Sequence, residues 1–245
     1  MRNLPVSVFL APLLFLVGGL HAGLIHRYSF NGAAGGEMID SIGAADGVLH
    51  SGAKLDAKGA LLLDGVNDWA ELPADLLDGL QDITLETWVE WSGPSTSSWQ
   101  TLFALSKDNT SYLSFSPRSG TSPRNARFAL ACKGPEKKVN GKEAFPTGTV
   151  VHVVTILDSA KQQLRLYIDG ILQGTVLCSY SLESLAVRNV WLGKPLYVQF
   201  PFFKGRVLEF RIFDEAYTEV QVARSGRFGA DDLPGPAISS FVTSR

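Results

Sequence analysis

His152-Val153-Val154-Thr155-Ile156-Leu157-Asp158 and Leu164-Arg165-Leu166-Tyr167-Ile168-Asp169-Gly170 are two apolar runs, rich in β-branched residues and Leu, around a polar break, Ser159-Ala160-Lys161-Gln162-Gln163. A third run, Ile171-Leu172-Gln173-Gly174-Thr175-Val176, follows at once. Val, Ile and Tyr fit a pleated surface, and Asp-Gly supplies the left-handed residues of a two-residue hairpin turn. The stretch from Val150 to Leu177 therefore predicts a β-meander, and with it an antiparallel all-β class. It contains no evident catalytic group.

Outward from the meander, short apolar or alternating runs recur with turn residues between them. Ile25 to Phe30, Ala60 to Leu63, Trp69 to Leu72, Asp82 to Trp91, Thr101 to Leu105, Tyr112 to Ser116, Arg127 to Cys132, Val190 to Gly193 and Val207 to Phe213 all read as strands. Helical periodicity is confined to one turn near Asp75 to Leu80 and to Thr218 to Arg224, where Thr218 is a candidate N-cap. Many short strands with almost no helix predict a sandwich or jelly roll.

Met1-Arg2-Asn3 followed by the apolar run Val6 to Leu20, with Ala22 at the cleavage edge, predicts a signal peptide over residues 1–22. The run is short for a membrane span of about 20 residues. No other segment is long and apolar enough to insert stably after the leader is removed. One domain is expected over 23–228, and a flexible tail over 229–245, where Asp, Pro, Gly and Ser predominate. The expected location is outside the cytoplasm: secreted, periplasmic or at the cell surface. The 22 basic and 24 acidic side chains, net −2, are dispersed, so nothing forms the electrostatic footprint of a nucleic-acid binder. Cys132 and Cys178 either pair in an oxidising compartment or are buried free thiols; the sequence leaves both open. Asn109-Thr110-Ser111 is a glycosylation sequon, meaningful only in a eukaryotic source.

Several segments resemble LamG-like (laminin G type) members of the concanavalin A-like lectin/glucanase sandwiches. They are His26-Arg27-Tyr28-Ser29-Phe30 with Asp40-Ser41-Ile42-Gly43, the hairpin Leu61 to Pro73 with Asp64-Gly65 and Asp68-Trp69, the strand Ile83-Thr84-Leu85-Glu86-Thr87-Trp88-Val89, the meander, and Phe203 to Phe213. Their order spans nearly the whole chain after the leader. Val150 stands where such domains usually have Trp, and Leu208 stands where they usually have Asp.

The resemblance implies a jelly-roll β-sandwich and a binding module, lectin-like and directed at a glycan or a surface protein. A structural or adhesion module of the cell envelope is the alternative, and a divergent glycoside hydrolase is a third. Glycosidases of this superfamily carry an E-x-D-x-x-E strand; here Glu86 and Glu90 share a face without the intervening Asp. They lie about 13 Å apart along a strand, against the ~5–5.5 Å of a retaining pair. No enzyme is therefore expected.

Sugars bind aromatic platforms with polar groups beside them. Trp91 and Trp99 bracket a polar loop, Ser92 to Ser98, and Tyr197 and Phe200 crowd a loop between strands, so these four are the candidate ligand-binding residues. Trp69, Trp88 and Trp191, in strand positions, read as core. The resemblance also implies a Ca²⁺ site near Asp40 and Glu209, weakened by Leu208.

Overall fold

The computed structural model describes residues 23–31, 36–93 and 99–233. The expected signal peptide and Pro94–Ser98 of the polar loop lie outside the described residues.

Among the described residues fifteen strands run in chain order: β1 Leu24–Tyr28, β2 Val48–His50, β3 Lys54–Asp56, β4 Ala60–Asp64, β5 Trp69–Leu72, β6 Ile83–Trp91, β7 Phe103–Asp108, β8 Ser111–Ser116, β9 Arg127–Cys132, β10 Lys137–Asn140, β11 Val150–Asp158, β12 Gln163–Ile168, β13 Ile171–Leu177, β14 Asn189–Leu192 and β15 Lys204–Phe213. Helix α1 covers Leu182–Leu185 and helix α2 covers Glu219–Phe228. The first sheet has the order β13-β12-β11-β6-β15-β4-β3, with β1 also on β15, and the second β10-β9-β8-β7-β14-β5-β2. Every named pairing is antiparallel. This is an antiparallel β-sandwich of the jelly-roll kind.

The meander forms as β11, β12 and β13. Asp169 (φ 49°) and Gly170 (φ 74°) make its second turn, both in the left-handed region that a type I′ hairpin demands. The inward residues of the two sheets, among them Leu85, Val89, Phe103, Phe115, Phe128, Val153, Leu166 and Phe210, form one core. Gly205 is required where β15 crosses β6, because a Cβ there would stand 2.2 Å from the backbone oxygen of Glu90. A bulge between Val207 and Glu209 then flips the alternation of β15. Val207 and Phe210 point into the core, while Glu209 and Arg211 face away from it.

The two outer faces have different fates. The first sheet's outer face is covered by the chain after β15. Phe213, Tyr217 and Val222 pack there on Leu24, Val154, Ile156 and Tyr167. Thr218 caps α2 reciprocally with Gln221, as its position in the sequence implied. The start of the expected flexible tail is tied down here: Arg211 Nη2 donates to the carbonyls of Ala230 (2.6 Å) and Asp232 (2.9 Å), and Arg27 Nη2 to that of Asp231 (2.8 Å). Buried guanidinium N–H groups need acceptors, and this stretch of backbone supplies them. Residues 234–245 lie outside the described residues. Among the described residues no helix or tail covers the second sheet's outer face, and a cleft lies on it.

Cys132 and Cys178 are free thiols. Cys132 Sγ donates to the carbonyl of Ser184 at 3.1 Å. Burial pushes the Cys178 thiol pKa up.

Candidate binding site

Across the outer face of the second sheet one row reads Ala129, Ser114, Ala104, Trp191, Glu71. Three small residues in succession leave a trough between larger neighbours. The loop after β14 lies along it, with Leu196 packed on Tyr112, Ala129 and Ala131. The resulting cleft has a volume of about 270 Å³.

Aromatic rings wall the cleft. Trp99 and Phe200 are 6.1 Å apart between ring centroids, and Tyr197 meets Phe200 edge-on at 5.5 Å. Trp99 has φ +71°, uncommon for a bulky residue, and its N–H donates to the carbonyl of Arg118 at 2.9 Å. Two neighbours fix its indole. Arg127 stacks on it at 4.9 Å, and Gly120 passes so close that a Cβ would fall 1.9 Å from the indole nitrogen. Strain of this kind, about 1–3 kcal/mol, persists where surrounding contacts determine the conformation.

Polar groups complete the lining. Tyr112 donates its hydroxyl to Glu136 Oε2 at 2.6 Å. Burial, then Glu136, raises its phenol pKa, so Tyr112 remains a donor. Arg127 donates from Nε to Asn140, from Nη2 to Thr121 and, at 3.5 Å, from Nη1 to Glu136 Oε1. Thr101, Ser114 and Ser116 contribute short hydroxyls.

At the foot of the same loop Lys194 holds its Nζ 3.7 Å above Trp69 and 4.0 Å above Trp191. His50 stacks on the Trp69 ring at 3.8 Å and lies 3.1 Å from Glu71. Burial lowers the Lys194 pKa, with Glu71 opposing. The loop that carries Tyr197 and Phe200 is thus pinned at its start by a cation between two indoles.

Of the four candidate residues, Trp99, Tyr197 and Phe200 are brought together in the structure. Trp91 is not. It shares the parity of Ile83, Leu85 and Val89 along β6, points into the core, and donates its N–H to Gln100 Oε1 at 2.6 Å. Two-residue alternation outweighs its position at the edge of a loop. Trp69 and Trp191, expected in the core, stand outward because Ala70, Leu72, Val190 and Leu192 take the inward positions. Tyr112, Arg127 and Glu136 were missed. The alternation Tyr112-Leu113-Ser114-Phe115-Ser116, with its polar outward set, was the available signal.

The residues present do not fit a calcium ion near Asp40 and Glu209. Asp40 already meets four donors: His26 Nδ1 at 2.6 Å and the backbone N–H groups of Arg27, Ile42 and Ala45 at 2.9, 3.1 and 3.1 Å. Burial pushes its pKa up, but these bonds outweigh that and hold the carboxyl below its ordinary range. Glu209 Oε1 receives Arg27 Nε at 2.6 Å and Arg211 Nε at 2.7 Å. A hard dication needs 6–8 free oxygens, and here Asp40 is bonded by His26 and backbone N–H groups and Glu209 by two guanidinium groups. Among the described residues no group of three or more His, Cys, Asp or Glu could hold a metal.

Glu209 belongs to a buried chain of charges under α2. Arg211 Nη1 reaches Glu86 Oε2 at 3.1 Å, and His152 Nε2 lies 2.8 Å from Glu86 Oε1. The Trp88 ring lies between Arg211, at 4.6 Å, and His152, at 4.4 Å. Glu90 pairs instead with Arg206 at 3.2 Å. The carboxylates that most nearly matched a glycosidase strand are therefore tied into ion pairs, with Glu86 fully buried.

The family model Laminin_G_3, described as concanavalin A-like lectin/glucanases superfamily, matches residues 64–223. The chain belongs to this superfamily. Among solved structures, domain 4 of a GH43 extracellular arabinanase from Geobacillus stearothermophilus, in complex with arabinotriose, is similar at 23% identity and a TM-score of 0.67, over 82% of this chain and 97% of that one. The receptor-binding domain of botulinum neurotoxin mosaic serotype C/D is similar at 15% identity and a TM-score of 0.65, over 84% of this chain and 50% of that one. A botulinum neurotoxin type C structure, titled for cell entry dependent upon interaction with two ganglioside molecules, has 13% identity and a TM-score of 0.64, over 84% and 51%. At such identities these superfamily neighbours share the fold. No curated protein matches the chain.

Proposed function

We propose that the protein is an exported, non-catalytic carbohydrate-binding module whose ligand sits in the cleft of the second sheet. The observation that carries this reading is the convergence of Trp99, Tyr112, Tyr197 and Phe200 around a floor of hydroxyls on the outer face of the second sheet. Ring faces take the C–H side of a sugar, and hydroxyl and carboxylate groups take its O–H groups. The complex of the arabinanase domain with arabinotriose supports a sugar ligand, while the complex of a neurotoxin DC binding domain with rat synaptotagmin II keeps a protein partner as the alternative on this fold. Glu136 is the single carboxylate among the residues lining the cleft, so the pair that glycoside hydrolysis needs is lacking there. The apolar leader supports export. Binding needs no calcium in this reading.

A glycan array probed with residues 23–245, with and without EDTA, tests it. Binding to at least one sugar, unaffected by EDTA and weakened at least about tenfold in Trp99→Ala and in Tyr197→Ala, is expected; tenfold is about 1.4 kcal/mol. Silence on every sugar sinks the reading and leaves the structural or protein-adhesion role.

A further inference from the structure

The cleft does not end at Tyr112. A shallower hollow of about 500 Å³ adjoins it, floored by Ala131 and rimmed by Asn109, Thr110, Lys133 and Gly134. Tyr112, Glu136 and Tyr197 border both spaces. The divider is rigid: Tyr112 is bonded to Glu136, and the Tyr197 hydroxyl donates to the carbonyl of Asn109 at 3.1 Å.

The inner lobe is chemically distinct from the outer. Its floor hydroxyls, on Thr101, Ser114 and Ser116, belong to residues only 5%, 8% and 5% exposed. Its two charges lie side by side: all three guanidinium nitrogens of Arg127 are bonded within the protein, one of them to Glu136. Lys138 Nζ reaches the same Glu136 oxygen at 3.5 Å from the exposed side.

We propose that the groove takes a neutral oligosaccharide of at least two residues, its end residue in the inner lobe and the next across Tyr112 and Tyr197 in the outer one. This rests on the carbohydrate-binding reading above and deepens it. The inner lobe's 270 Å³ falls just below the ~300–1,000 Å³ of pockets that enclose whole ligands, which suits one ring and not a chain. The hydroxyls of Thr101, Ser114 and Ser116 along its lining match the hydroxyls of a neutral sugar. An acidic sugar in the same place would face the Glu136 carboxylate while the Arg127 charge is already matched, and such like-charge contact is how a site rejects a competitor. The outer lobe has room for a second ring and offers the exposed Lys133 and Thr110 at its rim.

The experiment is calorimetric titration of the full chain after the leader. The probes are neutral mono-, di- and trisaccharides of arabinose, xylose, galactose and glucose, and matched disaccharides ending in glucuronic or sialic acid. For at least one neutral series the disaccharide is expected to bind about tenfold more tightly than the monosaccharide, with the acid-ended partner at least tenfold weaker. Ala131→Trp fills the outer lobe and is expected to bring the disaccharide-to-monosaccharide ratio to about one. Thr110→Trp at the exposed rim makes the same test should the first variant fold poorly. If sugars bind and Trp99→Ala abolishes it, yet monosaccharide and disaccharide bind equally or the acidic ones bind better, the two-lobe inference is overturned and the carbohydrate reading stands. If no probe and no arrayed glycan binds, both fall together.

Discussion

Trp99 shows how much of the cleft depends on single contacts. Its backbone sits at φ +71°, and its indole is held by Arg127 on one side and by the absent side chain of Gly120 on the other. Gly120→Ala puts a methyl group 1.9 Å from the indole nitrogen, so the ring must move out of the cleft. Sugar binding is expected to fall at least about tenfold, some 1.4 kcal/mol, while the melting temperature falls much less than in a core variant. Calorimetry alongside thermal unfolding separates the two. Arg211, on the other sheet, behaves in the opposite sense. It is fully buried, bonded to Glu86 and Glu209 and to the carbonyls of Ala230 and Asp232. Arg211→Met leaves two buried carboxylates short of a partner, at a cost of about 3–5 kcal/mol. A chemical denaturation curve should show that loss with sugar affinity unchanged, because none of the cleft residues touches Arg211.

Among the elements, the loop between β14 and β15 decides the shape of the site. It begins at Gly193, whose N–H donates to the carbonyl of Leu102, and is pinned at Lys194 by Trp69 and Trp191 before it delivers Leu196, Tyr197 and Phe200. Lys194→Met keeps the apolar stem and removes the cation, worth about 0.5–2 kcal/mol on such rings. The variant should bind sugar more weakly with little change in melting temperature, and Lys194→Arg should restore most of the affinity; equal affinity in all three would detach the staple from the site. Sequence patterning reaches the strands of this region but not the staple. Trp191 reads as core from its strand position and stands outward in the fold, and nothing local says that Lys194 folds back over it and over Trp69, more than a hundred positions earlier. The meander, the Asp169-Gly170 turn and the Thr218 cap were all legible because they rest on neighbouring residues, whereas the need for Gly205 comes from the distant Glu90 backbone. The short strands β2, β3 and β10 were not, since three- and four-residue edges have too few positions to show a period. Tyr197 and Phe200 were legible as unusual loop aromatics. Their partners Arg127 and Glu136 come from β9 and from the loop before β10, and only the fold places them there.

At the scale of the whole molecule the two outer faces divide the work. The first sheet buries its outward charges under α2 and residues 229–233, and this face contributes stability. The second has no helix over its outward face among the described residues, and in the proposed reading this face binds the ligand. The division is testable by pH through two carboxylates whose pKa values are lowered, Asp40 in its loop and Glu86 beneath the covered face. Asp40 and Glu86 have pKa values below their ordinary 3.8 and 4.5: burial alone would raise them, and hydrogen bonds from His26 and backbone N–H groups, or from His152 with Arg211, reverse it. Glu209 runs the other way, pushed up by burial against Arg27 and Arg211, and offsets part of the effect. A carboxyl whose folded pKa is depressed contributes stability in full above its unfolded pKa and loses it as pH falls through the folded one. Asp40→Asn isolates one such term, since the amide keeps the shape and does not titrate. The parent should melt well above Asp40→Asn at about pH 7, and the gap should narrow progressively as pH is lowered through and below 3.8. A gap of the same size at about pH 3 and about pH 7 would mean that the ionised carboxylate is not what ties the Asp40 loop to β1.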